Sequence, residues 1–318
     1  MKGQAKGSFF LLITAMVWGT GFIGQKLGMD IMAPMAFNGV RQLIASIAML
    51  PLSYFSWQSE RASFEASGTP LLKGQRRVRR VRLIRGGLIC GFILTLGTNF
   101  QQYGLQLLSA GKSGFITSIY IILVPILGIF AGNKIKKALW GCVVLALVGF
   151  AMLSLRLEGG LSVGMGDILT LISAFFFALH IIVADRQVTR SNAILLSNIQ
   201  LGVCGILTLI LSAIFELPRY GFHGFATVAL LYCGLVPTAV GYTFQMLGQK
   251  STDPTVASLL MSLEAVFASL FGVLLLHERM SLLEWSGCAV IFGATLLSQL
   301  VTRERPPKPE LRESETEK

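Results

Sequence analysis

Long apolar stretches dominate the chain and alternate with short polar segments. Ten of these stretches run for about 20 residues with almost no charged position, which is the length that a helix needs to cross about 30 Å of hydrocarbon. Glycine and proline inside the stretches are compatible with membrane helices, where both are commoner than in soluble helices. The pattern therefore predicts ten membrane-spanning helices. They cover residues 8–28, 34–56, 83–105, 108–131, 138–156, 166–185, 193–216, 223–246, 255–276 and 281–301.

The composition excludes an ordinary soluble domain. Of the 318 residues, 53% are hydrophobic and 14% are charged, whereas soluble domains carry about 25% charged residues. Only Lys2 and Lys6 bring charge before the first apolar stretch, and no small-residue cleavage site follows it, so we interpret this stretch as a retained span and not as a signal peptide. The predicted fold class is an all-α integral membrane protein.

Positive charge is distributed unevenly between the two sets of loops. If the N-terminus is cytoplasmic, most of the 27 Lys and Arg residues lie in segments on the cytoplasmic side. The positive-inside rule selects this orientation, with both termini cytoplasmic and the chain crossing the plasma membrane many times. The basic residues assigned to the opposite side are Lys112, Arg156, Arg219 and Arg279.

The net charge of +11 has the same origin. The run from Arg76 to Arg82 could in principle bind nucleic acid, but no aromatic residues alternate with its arginines. We interpret the run as a topology signal that also contacts anionic lipids, and we predict no nucleic-acid partner.

Cofactor motifs are missing from the sequence. The segment Gln106–Ser113 resembles a phosphate-binding loop, but Gln106 replaces the first glycine and no strand precedes it. The cysteines lie inside apolar stretches without Cys-x-x-Cys spacing, so we predict that they are small buried hydrophobes. We predict no ATP, metal or other cofactor site. The five cysteines are Cys90, Cys142, Cys204, Cys233 and Cys288.

The ten stretches divide at a polar link into two sets of five, over residues 1–156 and 157–301. Weak internal identities accompany the division. A shift of 159 matches Gly7 with Gly166, and a shift of 140 matches Ser118 with Ser258. An odd number of spans per unit makes the second copy enter the membrane upside down, and such inverted repeats build transporters with a site between the halves. Residues 302–318 are charged, interrupted by proline and predicted to be disordered.

Several ordered motifs resemble those of the EamA-type drug/metabolite transporters. They are Trp18–Lys26 (WGTGFIGQK) followed by Pro34 and Asn38–Ala45 (NGVRQLIA), Ser109–Thr117 (SAGKSGFIT) with Leu123–Pro125, Ser262–Ala268 (SLEAVFA) with His277-Glu278, and Gly287. Asn133 departs from the pattern, since an acidic residue equivalent to Glu278 is expected there. The resemblance covers nearly the whole chain, and it implies a metabolite exporter in which Glu264 is a characteristic residue.

Two charged residues lie well away from the ends of their predicted spans. Glu264 is about the tenth residue of the ninth span, and Arg41 is about the eighth residue of the second. Charges at such depth usually face a cavity or a partner. Glu264 either lines a substrate path or hydrogen-bonds helices together. Arg41 either pairs with Glu264 or binds a substrate carboxylate with two parallel hydrogen bonds.

Neutral polar and aromatic residues inside the spans extend the candidate site. Asn99, Gln102 and Tyr103 share one helical face, and His180 is sensitive to protonation. Each residue of the set either lines a small-molecule pocket or makes an interhelical hydrogen bond. The set comprises Trp18, Asn38, Asn99, Gln102, Tyr103, Thr117, Tyr120, His180, Asn198, Gln200, Tyr242 and Gln245.

Two prolines lie in the middle of predicted spans four and eight. Pro125 and Pro237 each remove a backbone donor and free the carbonyl four residues earlier, at Ile121 and Cys233. The resulting bends are either gating hinges or static kinks.

These observations favour a secondary transporter that exports a small metabolite, such as an amino acid, by alternating access. Its partners would be that small molecule, membrane lipids and, if Glu264 carries protons, the proton gradient. A facilitator without proton coupling is the alternative. A membrane enzyme would need clustered catalytic groups that the sequence does not supply, and a receptor or scaffold would form no path through the membrane.

Overall fold

The computed structural model describes residues 2–66, 73–154, 163–216, 224–276 and 279–302. Over these ranges the regular secondary structure is helical, without an extended sheet. Several predicted features lie outside the described residues. They are the part of the predicted link that falls within residues 155–162, the acidic residue Glu278 with His277, the outer arginines Arg156 and Arg219, and the predicted tail from residue 303.

Fourteen α-helices and one π-helical segment make up the described chain. They are α1 (Lys2–Gly28), α2 (Pro34–Ala48), α3 (Leu50–Ala66), α4 (Lys73–Leu107), α5 (Ala110–Thr117), α6 (Tyr120–Phe130), α7 (Lys137–Ser154), α8 (Met165–Val188), α9 (Ala193–Phe215), α10 (Gly224–Cys233), the π segment (Gly234–Val240), α11 (Gly241–Gln249), α12 (Pro254–Met261), α13 (Glu264–Leu276) and α14 (Leu282–Thr302).

Eight helical units of the described chain are long and apolar enough to cross a membrane. They coincide with eight of the ten predicted spans. The second predicted span is the pair α2 and α3, which bends by 44°, because Pro51 at the start of α3 cannot donate to the carbonyl of Ile47. The fifth is α7, whose apolar part, Lys137–Leu153, is shorter. The helical membrane class is confirmed, while the number of spans depends on how these two elements cross.

Two of the spans are broken at corresponding places. The first pieces, α5 and α12, each have eight residues and begin after a capping residue, Ser109 or Asp253, whose side chain accepts a backbone N–H. Their C-terminal capping residues, Ser118 and Ser262, are 144 positions apart. This spacing differs by four residues from the predicted match of Ser118 with Ser258. Four residues are about one helical turn, so the two registers present nearly the same face and apolar identities do not distinguish them.

Hydrogen bonds bring the two ends of the described chain together. Gln4 Nε2 donates to Thr302 Oγ1 at 3.2 Å, and Ser8 Oγ donates to Gln299 Oε1 at 2.8 Å. Lys136 Nζ reaches the carbonyl of Val301 at the same end of the bundle. The first turns of α1, the last turns of α14 and the basic segment before α7 therefore share one end.

A half-buried carboxylate joins three helices near their ends. Glu216, just after α9, accepts hydrogen bonds from the N–H groups of Met35 and Ala36 at the start of α2, at 2.7 and 3.0 Å. It also accepts the hydroxyls of Tyr103 on α4 at 2.8 Å and Ser212 at 2.7 Å. Because a helix N-terminus favours negative charge, the carboxylate suits this position.

We expect Glu216→Gln to lower the thermal stability of the detergent-solubilised protein by several degrees. An amide presents one acceptor oxygen in place of two, so at least one of the four donors loses its partner, and hydrogen bonds to charged groups contribute about 1.5–3 kcal/mol each. Thermal melting followed by size-exclusion chromatography measures the effect. The control is Glu65→Gln, because Glu65 forms an exposed pair with Arg61 that should contribute little. Equal melting temperatures for both variants would contradict the assignment.

Candidate functional site

A small cavity lies in the bundle where most of the helices meet. Its volume is about 40 Å³, enough for one or two water molecules and far below the roughly 300–1,000 Å³ of small-molecule pockets. The site therefore has little free volume in this conformation. Of the residues predicted from sequence, those lining the cavity are Trp18, Arg41, Thr117, Tyr120, His180, Tyr242, Gln245, Glu264 and the hinge candidate Pro237.

Glu264 is the first residue of α13, directly after the break at Ser262 and Leu263. Its side chain is only 4% exposed, and the hydroxyl of Tyr120 donates to its Oε1 at 3.4 Å. The sequence placed Glu264 within a continuous helix, but the break puts it at a helix N-terminus, the end of a helix where the dipole favours a carboxylate.

Arg41 on α2 lines the same cavity as Glu264 without forming an ion pair with it. Its side chain is 3% exposed. The guanidinium donates from Nε to Asn38 Oδ1 at 3.1 Å and from Nη1 to Thr238 Oγ1 at 3.0 Å, and no carboxylate among the described residues lies within ion-pair distance. The predicted Arg41–Glu264 pair is thus not formed in this conformation. These bonds use two of five guanidinium N–H groups.

Asn38 and Asn99 belong to a network that supports Arg41 from behind. Asn38 Nδ2 donates to Thr98 Oγ1 at 3.0 Å and to Asn99 Oδ1 at 2.8 Å. Asn99 Nδ2 in turn donates to Thr208 Oγ1 on α9 at 3.0 Å. Both residues were predicted as pocket candidates, but they make interhelical hydrogen bonds and do not line the cavity. The network orients Arg41 because it fixes the amide oxygen that binds Nε.

Aromatic side chains form one wall of the cavity. The rings of Trp18 and Tyr242 are 5.1 Å apart, and His180 meets Tyr242 edge-on at 6.3 Å. The Trp18 Nε1–H donates to the carbonyl of Pro237 at 2.9 Å. His180 Nε2 lies 2.9 Å from Gln200 Oε1, so Gln200 supports the imidazole and does not reach the cavity. The wall is apolar with polar edges, as in small-molecule sites.

Other predicted residues lie away from the cavity. Tyr103 belongs to the Glu216 cluster, and Asn198 hydrogen-bonds Ser46 and Ser53. Gln102 is fully buried, and its amide has no hydrogen-bond partner among the described residues. The shared face of Asn99, Gln102 and Tyr103 therefore does not face the cavity.

The hinge candidate Pro125 lies inside α6. The break in that span occurs earlier, at Ser118 and Ile119, and not at the proline.

Sequence reasoning missed five cavity-lining residues. Gln101, next to the predicted Gln102, points into the cavity and donates to Thr117 Oγ1 at 3.2 Å. An offset of 144, equal to that between the capping residues of the broken spans, pairs Gln101 with the predicted Gln245, and this spacing is a sequence signal that points to Gln101. The missed residues are Phe22, Gln25, Gln101, Phe177 and Ile181.

Metal ligation finds no support in the described part of the chain, where no three His, Cys, Asp or Glu side chains are grouped to hold an ion. The five cysteines are buried and free, as predicted. Cys233 and Cys204 lie near Arg41's supporting residues but form no cluster with acidic groups.

A bundle of apolar helices around a small polar cavity defines a membrane protein of the transporter class. The chain belongs to the EamA-like transporter family, whose model matches residues 5–155 and again residues 164–300. It is 31% identical over 292 residues to an uncharacterized transporter of Archaeoglobus fulgidus, covering 91% of this chain and 84% of that one.

Two further similarities agree with this family. The uncharacterized inner membrane transporter YedA of Escherichia coli is 25% identical, covering 95% of this chain and 93% of that one. A protein crystal structure with 17% sequence identity matches with a TM-score of 0.71, covering 94% of this chain and 98% of the other. At this identity the structural match supports the fold alone.

Proposed function

We propose that the protein is a secondary transporter that moves a small zwitterionic metabolite, such as an amino acid, by alternating access. The observation that carries the proposal is a guanidinium and a carboxyl group in the lining of one cavity, where Arg41 and Glu264 form no ion pair with each other. A carboxylate would bind the unused N–H groups of Arg41, and an ammonium group would lie near Glu264. Export is the direction implied by the family resemblance.

We infer that the two halves, residues 1–156 and 157–301, are inverted repeats. The two matches to the family model support this division, and so does the cavity lining. Residues at equivalent positions in the two halves line the same cavity, as expected when a site lies between repeats. The pairs are Trp18 with Phe177 and Phe22 with Ile181, each 159 positions apart, and Gln101 with Gln245 and Tyr120 with Glu264, each 144 apart.

Close helix contacts support the same relation. Gly248 of α11 packs against Leu11 of α1, and Gly104 of α4 packs against Thr170 of α8. Gly104 and Gly248 are 144 positions apart, and Leu11 and Thr170 are 159 apart, so one contact repeats the other. Small residues allow this approach of membrane helices.

For orientation, we propose that the basic end of the bundle is cytoplasmic. The start of α1, the end of α14 and Lys136 lie at this end, whereas the Lys112–Asp167 pair, at 2.6 Å, joins the starts of α5 and α8. The positive-inside rule then supports cytoplasmic termini in the cell membrane.

Counterflow of labelled phenylalanine in proteoliposomes, with and without a pH gradient, tests the function. Phenylalanine is a suitable first probe because its ring suits the Trp18–Tyr242 wall. We expect saturable uptake by the wild type, stimulated by the gradient. Absence of saturable uptake for phenylalanine and for a panel of other amino acids would contradict the proposed substrate class.

The variant Glu264→Gln tests proton coupling in the same vesicles. The amide keeps the size and the contact with Tyr120 but cannot carry a proton, so we expect it to abolish the stimulation by the pH gradient while downhill counterflow persists. Glu284→Gln, on the first turn of α14, is the control. Unaltered gradient-driven uptake by Glu264→Gln would remove Glu264 from the coupling role, whereas a wild type that does not respond to the pH gradient would be a facilitator.

A further inference from the structure

The eighth span changes helix type beside the cavity. It follows α-helical geometry up to Cys233, π-helical geometry over Gly234–Val240, and α-helical geometry again from Gly241. Pro237 lies in the middle of the π segment and has no N–H, so the carbonyl of Cys233 loses its α-helical donor. The hydroxyl of Thr238 donates to the Cys233 carbonyl at 2.7 Å, in addition to the backbone bonds between residues five apart that define a π-helix.

The same hydroxyl holds Arg41. Thr238 Oγ1 accepts the Arg41 Nη1–H at 3.0 Å, and the Thr238 side chain is fully buried. A hydroxyl has one donor and two lone pairs. Because its donor is directed to the Cys233 carbonyl, its lone pairs are free for the guanidinium. The position of Arg41 therefore depends on the geometry that Pro237 imposes on this span.

A second cavity residue is attached to the segment. The Trp18 Nε1–H donates to the carbonyl of Pro237 itself. Side chains from α1 and α2 that line the cavity thus both bind the π segment, one at a backbone carbonyl and one at a threonine hydroxyl. A change in the segment's hydrogen bonding would move both.

The corresponding region of the first half lacks this arrangement. In α4, which is a continuous α-helix, Thr95 and Thr98 donate to the carbonyls of Gly91 and Leu94, four residues earlier. Thr238 instead reaches five residues back, as π geometry requires. Short π segments within α-helices occur frequently at functional sites. Among the described residues, only the second half of the chain has a π segment, and the same half supplies the threonine that binds Arg41.

We propose that Thr238 is a positioning residue that couples occupancy of Arg41 to the shape of the eighth span. The inference rests on the proposed function, in which Arg41 binds the substrate carboxylate. A carboxylate on the remaining N–H groups pulls the guanidinium toward the cavity while its Nη1–H stays bonded to Thr238. The Thr238 bond to the Cys233 carbonyl then readjusts, and the π segment transmits the change along α10 and α11.

Thr238→Val and Thr238→Ser test the inference as a matched pair. Valine has the shape of threonine without the hydroxyl, and serine retains the hydroxyl. The half-saturation concentration is measured in counterflow for phenylalanine and, by competition, for phenylalanine amide, which lacks the carboxylate. We expect wild type and Thr238→Ser to prefer phenylalanine. In Thr238→Val we expect the half-saturation concentration to rise about tenfold for phenylalanine and to change little for the amide. The preference for phenylalanine over the amide would then be lost.

The outcomes separate this inference from the proposed function. A Thr238→Val protein that transports more slowly but keeps the wild-type preference would show that Thr238 only stabilises the helix, and would overturn the inference alone. A wild type that transports phenylalanine and its amide equally well would refute the carboxylate role of Arg41 and the inference with it. If Thr238→Val accumulates poorly, Thr238→Ala supplies the second hydroxyl-free variant for the same comparison.

Discussion

Replacing Arg41 with glutamine is expected to lower the ratio of maximal rate to half-saturation concentration for phenylalanine by about 100-fold. Glutamine is neutral and can donate to only one or two acceptors, so the substrate carboxylate loses a charge-assisted pair of hydrogen bonds. Two such bonds contribute roughly 3 kcal/mol or more, and each 1.4 kcal/mol corresponds to a factor of ten. Initial rates of counterflow over a range of phenylalanine concentrations measure the loss.

The variant Arg41→Lys separates charge from geometry. Lysine keeps the positive charge but presents a single ammonium in place of the planar fork, so it cannot bind Asn38, Thr238 and a carboxylate with the same geometry. We expect an intermediate loss, about tenfold. Wild-type kinetics in Arg41→Gln, with normal folding by size-exclusion chromatography, would remove Arg41 from substrate binding and leave it a structural role in the Asn38 network.

The membrane class of the fold could be predicted because it depends on a coarse property of the sequence. A stretch such as 193–216 must be a helix wherever it lies in hydrocarbon, since every backbone polar group has to be satisfied within the segment. The breaks could not be predicted in the same way. Ser262 and Leu263 interrupt the ninth span without proline or glycine, so local composition gives no signal, and tertiary contacts decide the geometry.

The residue types of the candidate site could be predicted from the sequence, but the side chains that point into the cavity could not. Glu264 and Arg41 are charged in apolar surroundings, and burial cost alone indicates that each faces a cavity or a partner. Gln101 and Gln102 are adjacent and chemically identical, however, and only the packing of α4 against its neighbours decides that Gln101 faces the cavity. The freed Cys233 carbonyl was predictable from Pro237, whereas the donor that satisfies it was not.

The importance of Gly19 is visible only in the packing. The chain has 34 glycines, so the sequence alone does not distinguish this one from the others. A Cβ at Gly19 would lie 2.8 Å from the carbonyl oxygen of Glu264 and from the N atom of Ala268. Backbone atoms within α13 cannot move independently, so α1 would have to separate from α13. This separation would displace Glu264 and the neighbouring Trp18, two residues that line the cavity.

Gly19→Ala is therefore expected to lower both stability and transport. Alanine in a helix normally gains about 1 kcal/mol over glycine, but overpacking against a fixed neighbour costs roughly 1–3 kcal/mol, so the net change should be destabilising. Gly293→Ala on α14 is the matched control, because nothing lies within 4 Å of its added Cβ, and there the helix propensity should act alone. Melting temperature and phenylalanine counterflow are measured for both variants. If Gly19→Ala melts as high as Gly293→Ala and transports normally, then α1 and α13 can separate at little cost, and this contact does not fix the shape of the cavity.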